Sequence, residues 1–237
     1  MKKSMKTGAL LVAGVFALSG CGSSSEAADS GSAESSSSPT PTLAVGQDQY
    51  TADELEAALT AAQKAMGFSG IVDNDASVRS MLEAAGFLSV TATPAQCATL
   101  GSSLFDETIT TGNSAAMEME GTDALLLVSY KDASVPDERA EIGEQLASDC
   151  AEFELENKGM TISGAAEALE VSTEAPSTQA FRTTITQPGG KAEIVQVQAH
   201  SGTVSLSVSM FDPADAAAAV DVAEKTINAA LAELAKM

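Results

Sequence analysis

Tryptophan is missing from this 237-residue chain, and aromatic residues make up only 4% of it. Exposed indole and phenol rings are the usual platforms for stacking on sugars, so a carbohydrate site is a poor expectation. Histidine occurs once, as His200, cysteine three times, and no CxxC is present. A tetrahedral zinc site draws its ligands chiefly from those two residue types, and dithiol redox chemistry needs the paired cysteines. No metal or other cofactor is therefore expected. Basic residues are also scarce, 12 Lys and Arg against 33 Asp and Glu, for a net charge of −21. Nucleic acid and anionic lipid headgroups are both held by Lys and Arg, so neither is an expected partner of the protein surface. The chain lacks an apolar run of about 20 residues, the length that a spanning helix requires. It also lacks an internal repeat with a period of about 20–50 residues.

What is present begins at the N-terminus. Lys2, Lys3 and Lys6 precede an apolar stretch over 9–18, and small residues lead to Leu18-Ser19-Gly20-Cys21. The first part reads as a secretory signal over 1–20. The tetrapeptide resembles a bacterial lipobox, in which the cysteine becomes the first mature residue and carries the acyl chains. Cys21 is thus the expected lipidation site, and diacylation or more gives stable anchoring. The expected location is the outer face of the cell membrane, with the protein body peripheral to it. Cleavage before Cys21 removes three lysines and no acid, so the net charge falls to −24. Such a surface keeps an exported domain dispersed. A cationic partner is its functional counterpart.

Residues 21–45 hold the lipidated cysteine and a Ser-, Gly-, Ala- and Pro-rich tether ending in Ser38-Pro39-Thr40-Pro41-Thr42. That composition cannot bury enough apolar area to fold. Residues 46–237 suffice for one domain with a sizeable core. Cys97 and Cys150 remain as an even pair in an oxidising compartment, where a disulfide is the default.

Helical spacing appears over 51–66, where Leu55, Ala58, Leu59, Ala62 and Met66 share a face and Gly67 supplies the stop. A second short helix is capped by Asp73 or Asn74, carries Val78, Met81, Leu82 and Ala85 along one side and ends at Gly86, and a short extended run follows over 87–90. Pro94 opens a helical turn that carries Cys97. Strands are expected over 115–120 and 124–130. The longest internal helix then starts near Pro136 with Ile142, Leu146, Cys150 and Phe153 as its stripe, and Gly159 ends it. Weak strands over 160–163 and 169–173 lead to a clear meander over 181–187, 192–199 and 203–210, joined by turn-like segments. In the last of these, Val204, Leu206, Val208 and Met210 alternate with Thr203, Ser205, Ser207 and Ser209, so one covered and one wet face is expected. Asp212-Pro213 starts a final helix with Val220, Ala223, Ile227, Leu231 and Leu234 as its stripe. The fold class is α+β: an antiparallel meander with helices packed on one face, in a single domain after the tether.

Candidate chemistry is thin. His200 beside Ser201 falls in an expected turn, without a nucleophile-elbow pattern around it. Asp73-Asn74-Asp75 and Ser77 echo the start of a calcium loop, but Val78 stands where the loop needs glycine and Ala84 where it needs glutamate. Capping a helix explains these residues better. The methionines would suit an adaptable apolar pocket, but with no Trp and few aromatics they suit the gaps of an alanine-rich core better. No residue is assigned to catalysis or to metal binding.

The lipobox, the Ser/Pro tether, the Thr51-Ala52-Asp53-Glu54-Leu55 helix start, Thr93-Pro94-Ala95-Gln96-Cys97 and a second cysteine late in the long helix form a layout similar to certain actinobacterial lipoproteins. Their folded part resembles the extracellular sensor domain of PknH-type kinases. The resemblance implies an antiparallel sheet with flanking helices and a ligand cleft, and it transfers no site residue. The expected function is a lipid-anchored, non-catalytic binding or sensor-like domain for a small-molecule or protein ligand, with a monomer as the default state. A carrier of an apolar molecule is the alternative, and a hydrolase with an unrecognised site comes third.

Overall fold

The computed structural model describes residues 45–85, 91–98, 100, 111–157, 160–187 and 190–237. Cys21, the tether and the run over 87–90 lie outside the described residues. The described elements are, in chain order, α1 (Ala52–Met66), β1 (Val72–Asp73), α2 (Asp75–Ala85), β2 (Thr91–Thr93), a 3-10 turn (Ala95–Cys97), β3 (Asn113–Glu118), β4 (Ala124–Ser129), α3 (Ser134–Asp149), β5 (Phe153–Asn157), β6 (Met160–Leu169), β7 (Ser177–Gln187), β8 (Gly190–Ser201), β9 (Val204–Phe211) and α4 (Ala216–Leu234). The strands make one nine-stranded sheet in the order β1-β3-β4-β9-β8-β7-β6-β5-β2. Every neighbouring pair is antiparallel. The α+β class expected from the alternation is therefore the one observed.

Register separates the two faces. Leu125 and Leu127 of β4 stand opposite Val208 and Leu206 of β9, which stand opposite Val197 and Ala199 of β8. All six side chains are buried on the first face, with Leu55 and Leu59 of α1 and Ile227, Leu231 and Leu234 of α4 closing over them. Local signals fix both helices. Thr51 and Glu54 form a reciprocal capping box at the start of α1. Asp215 caps α4 through Ala218 N–H at 3.0 Å. Asp212, the residue expected in that role, instead accepts from Glu193 N–H at 2.8 Å and pins the chain after β9.

Besides α1 and α4 on the face that the sequence pattern foresees, α2 and α3 lie over the other. Val78 and Leu82 of α2 pack on Leu126, Val128 and Tyr130. Leu146 of α3 packs with Phe153, Leu155, Ala166 and Phe181 around the cysteines. The serine side of β9 is consequently not wet, and Ser205 and Ser209 are buried.

Two boundaries differ from expectation for one reason. The helical stripe through Ile142 and Leu146 continues by coincidence to Phe153, yet α3 stops at Asp149. From Phe153 the sequence Phe-Glu-Leu-Glu has the period of a strand, and it forms β5. Helix and strand periods overlap at Phe153, and the sheet's demand for a partner on β6 decides between them. The weak strand expected over 160–163 is the start of a ten-residue strand, β6, whereas of the one expected over 169–173 only Leu169 is in a strand, the last residue of β6.

Cys97 and Cys150 are bonded, with Cα atoms 5.6 Å apart. Both are fully buried, and they join the 3-10 turn to the end of α3. Closing a loop of 53 residues' separation stabilises the fold by about 4 kcal/mol in the chain-entropy model.

The chain enters the domain through a strap over 45–50. Ser201 Oγ–H donates to Val45 O at 2.8 Å, Thr203 N–H to Gly46 O at 2.9 Å and Thr203 Oγ1–H to Asp48 O at 2.8 Å. Tyr50 N–H donates to Ser129 Oγ at 2.9 Å, and Asn113 Nδ2 donates to Tyr50 O at 2.7 Å. Gly46 has φ +83°, and a Cβ there would lie 1.9 Å from Ser201 O. Only glycine lets the strap lie this close against the β8–β9 turn.

Candidate functional site

The helices α1 and α4 cover part of the first face and leave the rest open. Along β8 the first-face residues Ala199, Val197 and Val195 are buried, whereas Glu193 is half-buried and Lys191 exposed. Along β7, Ala180 is buried, whereas Thr184 is half-buried and Thr186 exposed. The change of chemistry falls at the cross-strand row Glu167, Arg182 and Val195, where Arg182 and Glu167 form an ion pair. Beyond that row the face turns to Ser, Thr and Glu, residues that gain nothing from burial.

A cleft of about 460 Å³ lies on this open half, lined by Thr93, Glu152, Glu154, Ser163, Ala165, Thr184, Thr186 and Lys191 together with Phe153 and Gly164. Register aligns most of the polar lining in one row. Thr93 of β2 stands opposite Glu154 of β5, Glu154 opposite Ser163 of β6, Ser163 opposite Thr186 of β7 and Thr186 opposite Lys191 of β8. Residues directly opposite in an antiparallel pair project to the same side, about 5 Å apart. The row therefore crosses five strands, from the Thr93 hydroxyl through the Glu154 carboxylate and two further hydroxyls to the Lys191 ammonium. Phe153 belongs to the second face, where its ring crosses Gly164: a Cβ on Gly164 would meet the ring at 2.3 Å.

The row holds no imidazole and no thiol. His200, the chain's one histidine, lies on β8 and not in a turn, and it is 6% exposed on the second face. Its Nδ1 contacts Ser205 Oγ at 2.9 Å. Burial first, and the Arg139 guanidinium second, lower its pKa to about 4, so it is neutral at ordinary pH. The small cavity beside it is lined by Leu126, Val128, Arg139, Gln198, Ser205, Leu206 and Ser207 and holds about 10 Å³, close to the minimum for one water. His200 and Ser205 thus lie on the side of the sheet opposite the open cleft.

The residues that echo a calcium loop have structural roles. Asn74 Oδ1 accepts from Ser77 N–H at 3.0 Å as a helix cap. Asp75 is half-buried yet its pKa is lowered. The desolvation that would raise it is outweighed by hydrogen bonds from Arg79 Nε at 2.6 Å and from Ser114 N–H and Oγ–H, both at 2.9 Å. This network ties α2 to β3. The methionines do not gather in one place: Met117 and Met119 are in the core, Met210 borders it, and Met81 is exposed on α2.

The cross-strand row was not legible as a site in the sequence. Its members are spread over 93–191 and meet only through register. The alternation Phe153-Glu154-Leu155-Glu156 was the local signal that β5 exists.

No protein-family model and no curated protein matches the chain. Among solved structures, the chain is similar to the extracellular domain of PknH from Mycobacterium tuberculosis, with a TM-score of 0.47 and 16% identity over 78% of this chain and 98% of that one. It is also similar to a putative uncharacterized protein, the Rv0999 ortholog of Mycobacterium smegmatis, with a TM-score of 0.38 and 16% identity over 60% of this chain and 77% of that one. The loose likeness to the PknH sensor domain expected from the layout is therefore found.

Proposed function

We propose that this protein is a lipid-anchored, non-catalytic binding domain of the outer membrane face, a sensor-like module whose ligand surface is the open half of the first sheet face. One observation carries the reading. The sheet is buried under helices elsewhere, but here it presents a concave row of hydroxyls and charges to solvent. A solvated cleft whose opposite charges stand apart, with no imidazole or thiol among its described lining residues, suits holding a polar ligand better than transforming one. The strap supports the same assignment. The chain enters at the Ser201 end of β8 and the row lies at Lys191, about 33 Å away along the strand at about 3.3 Å per residue. A tether from Cys21 would then hold the domain by the end remote from the cleft.

The test uses the full-length protein in detergent micelles and saturation-transfer spectra with small panels of amino acids, short peptides, polyamines and sugars. Thr184→Trp fills the cleft from its floor. Binding of at least one polar class, lost in that variant, supports the reading; binders that the variant retains place the ligand elsewhere. For the anchor, Cys21→Ser should move the protein out of the carbonate-washed membrane fraction, and its persistence there would refute lipidation at Cys21.

A further inference from the structure

Resting on the reading of the open half-sheet as the ligand face, we propose that its ligand is a short zwitterionic peptide of about four residues. It lies across the strands, with its free amine at Glu152 and Glu154 and its free carboxylate at Lys191. The polarity of the row sets this orientation. Glu154 on β5 and Lys191 on β8 stand three strands apart with Ser163 and Thr186 between them. Three inter-strand steps of about 4.8 Å separate the charges by about 14 Å at the backbone. Across that gap they cannot pair with each other.

Neither forms an ion pair, although Glu193 stands two residues from Lys191 on the same face. Among the described residues the ion pairs are Asp75 with Arg79, Glu167 with Arg182 and Glu233 with Lys236, and they leave both Glu154 and Lys191 unengaged. The contrast with Arg182, two same-face rows further in, beyond Ala165, Thr184 and Glu193, and already paired, is informative. At the edge of the helical cover the sheet cancels its charges, and inside the cleft it keeps them apart. A purely cationic ligand would leave Lys191 opposing it, and a purely anionic one would face Glu152 and Glu154.

Length and chemistry then narrow the ligand. An extended chain advances about 3.3–3.6 Å per residue, so about four residues place an amine and a carboxylate at the separation of the row. The intervening hydroxyls of Ser163, Thr184 and Thr186 each donate and accept, which suits a peptide backbone with alternating N–H and C=O groups. Phe153, the one aromatic residue among the described lining, turns its ring into the core behind the sheet, so side chains of the peptide contribute little to recognition. Glycine peptides isolate the termini and are the probes of choice.

Amide spectra of the full-length protein in detergent micelles follow titrations with tetraglycine, N-acetyl tetraglycine, tetraglycine amide and diglycine. Tetraglycine is expected to move the amides of Ser163, Thr184, Thr186 and Lys191, with a dissociation constant on the order of millimolar because the charges are exposed. Capping either end weakens binding about tenfold, as does shortening to diglycine, which reaches only one charge at a time. Lys191→Met should erase the penalty for amidation and keep that for acetylation, and Glu152→Gln with Glu154→Gln should do the reverse. If capped and free tetraglycine move the cleft amides equally, the zwitterion assignment is overturned while the cleft remains the ligand face. If no peptide moves them and a polyamine or another polar class does, the peptide assignment is overturned in the same way. If every ligand that binds moves only amides outside the cleft, both readings fall.

Discussion

The two halves of the first sheet face share one backbone and differ in what lies over them. From β3 to the C-terminal part of β8 the face is Leu, Val and Ala under α1 and α4, with α2 behind β3 and β4 on the other side. From β2 to the N-terminal part of β8 the same face is mostly Thr, Ser and Glu, open to solvent, and among the described residues cover exists only behind it. The second half has thus given up one side of its apolar burial, the dominant favourable contribution to folding. The Cys97–Cys150 bond lies in the small core behind that half, among Phe153, Leu155, Ala166 and Phe181. Exposure on one side is matched by a covalent clamp on the other. The lesson is that a sheet can present a wide polar face if its back is fastened locally.

The sharpest way to break this comparison is to remove the clamp. Cys97→Ser with Cys150→Ser should destabilise the protein by about 4 kcal/mol in the chain-entropy model, read by chemical denaturation. Hydrogen exchange should accelerate first in β2, β5 and β6 and later in β4 and β9. Uniform acceleration across the sheet would show that the clamp does not serve the open half in particular.

Next in size is the covered half. Leu231→Ala leaves a cavity between α4 and the sheet and should cost about 3.5 kcal/mol, within the usual range for a buried leucine. Thr186→Ala, in the open row, should stay within about 0.5 kcal/mol of the parent. Equal melting of the two variants would erase the distinction between the halves.

The smallest of the three concerns acid, and its sign follows from His200. Its folded pKa of about 4 lies below the value of 6.5 for a free histidine. Between those values the unfolded chain binds the proton and the folded one does not, so stability falls as pH drops from 6.5 to 4. The loss reaches about 3 kcal/mol at the lower end. His200→Gln should flatten that part of the stability profile, and an unchanged slope would assign it to other groups. Asp75, whose pKa is lowered, acts in the same direction at still lower pH, since its stabilisation is present above its unfolded pKa and is lost as the carboxylate protonates.

What the sequence disclosed follows from where the physical signal is local. The alternation Val204, Leu206, Val208 and the stripe Ile227, Leu231, Leu234 identify a strand and a helix that need each other's cover, and they meet as expected. Thr51 with Glu54 is a complete cap within four residues. Two cysteines in an oxidising compartment leave one pairing, and it is present. The rest needed long-range information. Ser205 and Ser209 look like a wet face until the second layer is in place over them. His200 looks like a turn residue until β8 is seen to continue to Ser201. The row from Thr93 to Lys191 is invisible in one dimension, because four separate strand registers bring it together.

On the proposed anchoring, the strap over 45–50 also has a meaning for release from the cell surface. Its bonds to Ser201, Thr203, Ser129 and Asn113 fasten the described chain to the sheet from Val45 onward. A protease acting on the Ser/Pro segment ahead of it would shed an intact domain with its ligand face unaltered. A cut only a few residues later would strip the strap from the β8–β9 turn and expose buried Ser201 and Thr203. The difference between a soluble decoy and a damaged protein is then decided within about six residues of chain.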